Sequence, residues 1–239
     1  MTNHMTHRFG ILSAAALSVV SLGTTASADE PVVVELFTSQ GCVSCPPADA
    51  FLAELAERDD VIALALHVDY WDYIGWQDTF AQAAFTQRQH AYGRAAHSTV
   101  VYTPQMVIGG VDHVIGTHAM EVAEAIAAHR NTPDPVSVEA TQTPNGWQVH
   151  ATWEGQGQAP AMVVQVVTYS PAEEVAISRG ENAGLSVQYH NIVRSWQVVA
   201  EWSGAAEFEA QVVPSSDIPH VVIVQAASHG PILGAERLN

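Results

Sequence analysis

Val32-Val33-Val34-Glu35-Leu36-Phe37-Thr38-Ser39-Gln40-Gly41-Cys42-Val43-Ser44-Cys45-Pro46-Pro47 is the stretch on which the reading of the chain depends. It opens as a continuous β-branched and aromatic run, the pattern of a strand buried on both faces. Thr38 to Gly41 then reads as a turn, and two cysteines follow with C-x-x-C spacing where a helix begins. Pro46 and Pro47 suit that start, because the first turn of a helix has N–H groups that need no intrahelical acceptor. Cys42 and Cys45 are the only cysteines of the chain. One vicinal pair at this spacing, after a strand, is a redox signature. The alternative is a static disulfide, although so tight a loop removes little entropy from the unfolded chain and makes a poor staple.

Downstream, Phe51, Leu52, Leu55 and Ala56 give the helix an apolar stripe. Val61–Val68 is a second buried strand, so strand, helix and strand predict a right-handed βαβ unit with parallel strands. His67 to Trp76 is dense in aromatics and carboxylates. Residues 79–92 read as a helix with Phe80, Ala84, Phe85 and Tyr92 facing inward. Thr103-Pro104 opens a third strand, Gly109-Gly110 turns it, and Val111–Ile115 returns. Thr117 can cap a last helix that buries Met120, Val122, Ala125 and Ile126.

After Asn131-Thr132-Pro133-Asp134-Pro135, a linker by composition, the hydrophobic period changes to two. Val136–Ala140 and Trp147–Trp153 flank Asn145-Gly146, a type I′ turn signal. Further strand-like runs cover Met162–Tyr169, Glu174–Ser178, Ile192–Trp202, Glu207–Val213, Val221–Ala227 and Ile232–Leu238. Their spacing predicts a second, all-β, sandwich-like domain over 136–239, behind an α/β domain over 29–132. The β region holds no cysteine and no catalytic arrangement. Capping of the redox site, partner binding, dimerisation and edge-strand recruitment of a client segment all remain open for it.

Upstream, His4, His7 and Arg8 precede an apolar run from Ile11 to Leu22, and Ala26-Ser27-Ala28 fits a signal-peptidase site. Residues 1–28 are therefore expected to be a secretory signal peptide, with an exported, periplasmic or secreted mature chain. The run is too short and interrupted for a spanning helix, so no membrane attachment is expected after cleavage. A disulfide can persist in such a compartment. The formal charge is −17 and all eight basic residues are Arg. That surface repels phosphate backbones and anionic lipids, which argues against nucleic-acid and membrane partners. The acidic residues are dispersed, a pattern that adaptation to a salty medium also produces.

The order of strand, C-x-x-C helix, strand, inserted helix, Thr-Pro, β-hairpin, glycine and helix resembles the thioredoxin fold. The phrases FTSQGCVSCPPAD, HVDYWDYIGW and VYTPQMVI resemble a secreted bacterial thioredoxin-like family of unknown function, number 1223 among such domains. The resemblance implies a mixed sheet flanked by helices, with Cys42 as the exposed attacking thiol and Cys45 as the more buried resolving thiol. It implies a cis bond at Thr103-Pro104 presenting backbone to a substrate, and a glycine at Gly116. The substrate class is a protein or small thiol or disulfide, with no cofactor beyond the dithiol. Two family features are missing. Gly41, rather than Trp, precedes Cys42, and the buried acid of thioredoxin would fall near Leu36. Glu35 is the nearest carboxylate, and strand alternation puts it on the opposite face.

A thiolate at a helix N-terminus is stabilised by the unsatisfied N–H groups and the helix dipole, so it attacks disulfides near neutral pH. Two intervening residues let the second sulfur resolve the mixed disulfide. Val43 and Ser44 tune the potential, while Pro46 removes one N–H from the thiolate's reach. The rival reading is a copper or zinc carrier using Cys42, Cys45 and His67; a client-binding protein with incidental thiols is a third. His90, His97, His113 and His118 stand at no ligand spacing, and no nucleophile-elbow motif surrounds any serine. Trp71 and Trp76, with Tyr70 and Tyr73, either line a substrate groove or cover the inserted helix.

Overall fold

Alternate residues of the first strand face two different cores. β1 (Val32–Thr38) pairs in parallel with β2 (Val61–His67) and antiparallel with β3 (Gln105–Ile108), which turns back into β4 (Asp112–Ile115). Val32, Val34 and Leu36 pack with Ala63, Ala65, Met106 and Ile108 against α1 (Pro46–Ala56) and α3 (Ala119–Arg130). Val33 and Phe37 pack on the other face with Leu64, Leu66 and Val107 against α2 (Ala83–Ala95). Because side chains alternate along a strand, one covered on both faces reads as an unbroken apolar run.

The computed structural model describes residues 30–213 and 217–238, together with Met1. The expected leader, residues 1–28, lies outside the described residues but for Met1. Among the described residues, no helix is long and apolar enough to cross a membrane.

The sheet continues through the expected domain boundary. β5 (Val136–Thr143), β6 (Gly146–Trp153) and β9 (Phe208–Val212) form a separate three-stranded antiparallel sheet. β7 (Met162–Ala176), β8 (Ser186–Trp202), β10 (His220–Ala226) and β11 (Ile232–Leu238) instead join the first four strands. The result is one mixed eight-stranded sheet in the order β11-β10-β7-β8-β2-β1-β3-β4. Its seam is a parallel bridge between Ala65 and Ile192. The core on the α2 face runs through that seam, from Phe37 and Leu66 to Val167, Val193 and Val221. The small sheet packs Val136, Val149 and Ala151 against Val164, Val222 and Leu233 at the far end of the large one. Two sheets do stack, as the period-two pattern predicts, but one of them is the extension of the N-terminal sheet rather than part of a detached sandwich.

Several local expectations are corrected. The two runs at 162–169 and 174–178 are one strand, β7, with a register shift at Thr168/Tyr169. α2 starts at Ala83, not near residue 79, because the Asp78 carboxylate accepts the Phe80 N–H at 2.8 Å and holds that segment in a turn. Ala84 is exposed, while Phe80, Phe85 and Tyr92 are buried. His118, not Thr117, occupies the cap position of α3, and Met120 points to solvent. The β5–β6 loop is Pro144-Asn145, and only Gly146 has positive φ there, so the turn is not type I′.

Candidate functional site

α1 begins on the dithiol itself. The Cys42 N–H donates to the Ser39 carbonyl at 3.1 Å and the Cys45 N–H to the Cys42 carbonyl at 3.2 Å. The Ala48 and Asp49 N–H groups both donate to the Cys45 carbonyl, which makes Cys45 the helix cap. Cys42 and Cys45 form a disulfide with Cα atoms 5.4 Å apart. Because prolines occupy the first two helical positions, the usual N–H donors are missing there. Ser44 offers another donor: its hydroxyl lies 3.4 Å from Cys42 Sγ and 3.5 Å from the Thr103 carbonyl oxygen.

The Thr103–Pro104 bond is cis, as the resemblance implies. Thr103 Oγ1 accepts a 2.8 Å hydrogen bond from the Trp71 indole, and the Pro104 carbonyl accepts one from the Gly116 N–H at 2.9 Å. A Cβ on Gly116 would lie 3.1 Å from the Cβ atoms of both Ala48 and Pro104. Glycine at 116 is thus what lets the proline segment approach α1. Trp71, Thr103 and the dithiol turn are brought together. Trp76 reaches the same turn through another residue, its indole N–H donating to Gln40 Oε1 at 2.8 Å.

The expectation of an exposed Cys42 is corrected. Cys42 is 1% exposed and Cys45 0%, whereas Val43 between them is 62% exposed. Two elements lie over the turn. Trp71 packs so closely on Gly41 that a Cβ there would sit 3.2 Å from Trp71 Cβ. The loop joining β7 to β8 brings Asn182, whose side-chain amide donates to the carbonyls of Gln40 at 2.9 Å and Cys42 at 3.0 Å.

Behind the turn lies a buried polar group that follows from strand register. Thr38 and His67 are partners across β1 and β2, and paired residues of parallel strands share a face. Both therefore face α1, whose first turn carries Asp49. Thr38 donates its hydroxyl to Asp49 Oδ1 at 2.7 Å, and His67 Nδ1 lies 2.7 Å from Asp78 Oδ2. The remaining atoms, Asp49 Oδ2 and His67 Nε2, are buried and have no hydrogen-bond partner. Burial raises the Asp49 carboxyl to about 7, against the opposing influence of His67 and Thr38. Burial acts the same way on Asp78, but His67 and the N–H groups of Gln40 and Phe80 outweigh it and hold that carboxyl below its ordinary range. The His67 ring is wedged edge-on between Phe80 and Tyr189. Among the described residues, no group of three or more His, Cys, Asp or Glu side chains is arranged to hold a metal ion, so Cys42, Cys45 and His67 are not gathered as ligands.

Glu35 is settled differently. On the α2 face it receives two hydrogen bonds from Arg88, at 2.6 and 2.9 Å, and one from Tyr92. It is a salt-bridged core acid on the side of the sheet away from α1.

The model of a family described as "Protein of unknown function (DUF1223)" matches residues 33–225. The chain belongs to this family. Its fold is similar to the crystal structure of a protein from Agrobacterium tumefaciens, with TM-score 0.76 and 31% identity over 89% of this chain and 96% of that one. It is also similar in fold to HBP35 of Porphyromonas gingivalis, with TM-score 0.57 and 13% identity over 88% of this chain and 75% of that one. A search of curated proteins gives no match.

In this DUF1223 member, sequence reading alone misses Gln40, Asp49, Asp78 and Asn182. Gln40 and Asn182 carry only the signature of polar turn residues, and Asp49 that of an acid in a helix's first turn. One signal was available for Asp49: it falls four residues after Cys45, on the helix face that also carries the buried Leu52.

Proposed function

We propose that the protein is an exported thiol–disulfide oxidoreductase of thioredoxin-like fold, acting through Cys42 and Cys45 on a protein or small-molecule thiol or disulfide. The observation that carries this reading is the placement of the disulfide: it sits at the first turn of α1, with Ser44 bridging Cys42 to the Thr103 backbone. The parallel β1–α1–β2 unit followed by the β3–β4 hairpin and α3 supports the fold assignment.

The chemistry runs as two exchanges. The Cys42 thiolate attacks a client disulfide, a Cys42–client bond forms, and the client's other sulfur leaves as a thiolate and takes a proton. Cys45 then loses its proton and attacks Cys42 Sγ. The Cys42–Cys45 bond forms, and the client's second sulfur departs and is protonated. Two electrons and two protons pass from the dithiol to the client; the reverse sequence oxidises one. Ser44 stabilises the Cys42 thiolate in place of the N–H that Pro46 lacks. Asp49 serves as the store for the Cys45 proton, since its buried Oδ2 has no other partner and burial raises the carboxyl to about 7.

The test is the reduction potential of the Cys42/Cys45 couple in a glutathione series with metal chelated. A reversible couple between roughly −120 and −270 mV supports the reading, and a value below about −300 mV, the range of structural disulfides, refutes it.

A further inference from the structure

The loop 177–185 between β7 and β8 meets the dithiol turn across 140 residues of sequence. Within the loop, the Gly184 N–H donates to the Ile177 carbonyl at 2.8 Å and the Leu185 N–H to the Asn182 carbonyl at 3.1 Å, so the tip keeps a shape of its own. Gly180, at φ +77, rests on Trp76, where a Cβ would lie 3.1 Å from Trp76 Cβ. Only Ile177 and Asn182 of these nine residues are buried; Ser178, Arg179, Glu181, Ala183, Gly184 and Leu185 are exposed. Little apolar area therefore holds the tip down, and the two amide bonds of Asn182 are its polar anchor. Segments with few buried apolar contacts open at a fraction of the global unfolding free energy. Underneath, Cys42 is 1% exposed. Thiol–disulfide exchange requires an attacking sulfur to reach the one it displaces, so access controls its rate.

We propose that the 177–185 tip is a gate that determines which thiols and disulfides reach Cys42, with Asn182 as its latch. This rests on the oxidoreductase reading of the dithiol. With the latch closed, freely diffusing small thiols are slowed, reaching Cys42 only in the moments when the tip opens by itself. A partner that grips the exposed tip residues and lifts the tip gains access. This gives the β7–β8 extension a task at the redox site, beyond completing the sheet.

The experiment is the reduction of the oxidised full-length protein by excess dithiothreitol, followed by thiol alkylation and mass spectrometry. One dithiothreitol thiolate forms a mixed disulfide with the protein. The second closes the cyclic disulfide, delivering two electrons and two protons to Cys42 and Cys45. Asn182→Ala is expected to be reduced about tenfold faster than the wild type, the order of effect of losing two neutral hydrogen bonds. Its equilibrium potential stays unchanged, since a latch alters access and not the driving force. Asn182→Asp, which places an acceptor against two carbonyls, is expected to behave likewise. An unchanged rate in folded variants overturns the gate. Loss of the whole fold in both variants overturns it too, because a tip that detaches only with the sheet is not a gate. Faster reduction of Asn182→Ala with a potential in the structural-disulfide range refutes the oxidoreductase reading and leaves the gate standing. An unchanged rate with a potential in the oxidoreductase range does the reverse.

Discussion

The Thr38 hydroxyl, at the end of β1, donates a 2.7 Å hydrogen bond to Oδ1 of Asp49 in the first turn of α1, while Oδ2 of the same carboxyl is buried without a partner. The carboxyl is thus held in place yet only half satisfied. Burial raises it from 3.8 to about 7. Over that interval the folded state keeps a proton that the unfolded chain has released, so stability falls as pH rises. The stabilising contribution is complete below the unfolded value and gone above the folded one. Glu30, raised by burial to about 7, and Asp134, raised to about 6, act in the same direction. Asp49→Asn keeps the Oδ1 acceptor and cannot ionise. Urea denaturation is expected to show the variant gaining stability relative to wild type between pH 5 and pH 8, whereas a constant difference would show that the folded Asp49 is already ionised at pH 5.

The same carboxyl bears on the redox chemistry. If Asp49 stores the Cys45 proton, the potential of the couple follows pH with a change of slope near neutrality, and Asp49→Asn loses it. Potentials measured from pH 5 to 9 check this. Identical profiles for the two proteins would remove Asp49 from the proton path.

Ser44 stands between Cys42 Sγ and the Thr103 carbonyl. A hydroxyl donating to a thiolate favours the reduced form and raises the potential. Ser44→Ala is therefore expected to lower the potential by about 30 mV, the equivalent of one charge-assisted hydrogen bond. Ser44→Thr is expected to restore it. A potential unmoved by Ser44→Ala would show that the hydroxyl serves only the Thr103 backbone.

Arg88 and Glu35 form a buried ion pair on the opposite face of the sheet. Arg88 also donates to Gln225 of β10 at 3.2 Å and stacks on Trp196 of β8 at 3.7 Å, so the pair fastens α2 to both later strands. Arg88→Met leaves a buried carboxylate without its counter-ion, at an expected cost of about 3–5 kcal/mol. The double variant Glu35→Gln with Arg88→Met is expected to recover part of that loss. Chemical denaturation of both variants measures the difference.

Gly116→Ala tests the close approach of the proline segment to α1. φ at Gly116 is not left-handed, so the effect is steric alone: the new methyl would meet Ala48 and Pro104 at 3.1 Å and Leu36 at 3.3 Å. The expected destabilisation is about 1–3 kcal/mol, read as a lowered thermal midpoint. An unchanged midpoint would mean that the segment shifts freely.

Much of the N-terminal half was legible because its signals are local. The apolar run of β1, the C-x-x-C helix start, Thr103-Pro104 and Gly116 each declare their place through covalent or periodic constraints of neighbouring residues. The later strands were legible as strands for the same reason, although the two runs expected at 162–169 and 174–178 are one strand and β8 begins at Ser186 rather than Ile192. Asp49, Asp78, Gln40 and Asn182 were not, since a polar residue in a helix start or turn looks the same whether it meets water or a partner brought from 140 residues away. Glu35 shows both sides. Alternation placed it on the face away from Leu36, but nothing near it in sequence announced Arg88 as its counter-ion.

The sequence by itself determined the strands, the helices, the dithiol and the family, because periodicity, proline, glycine and cysteine act over a few residues. Only the tertiary structure decided that β8 docks beside β2, that one sheet runs through both halves, and that Asn182 hydrogen-bonds the carbonyls of Gln40 and Cys42. Those outcomes depend on which distant edges pair and which buried polar atoms find each other, and their free energy exists only once the whole chain has packed.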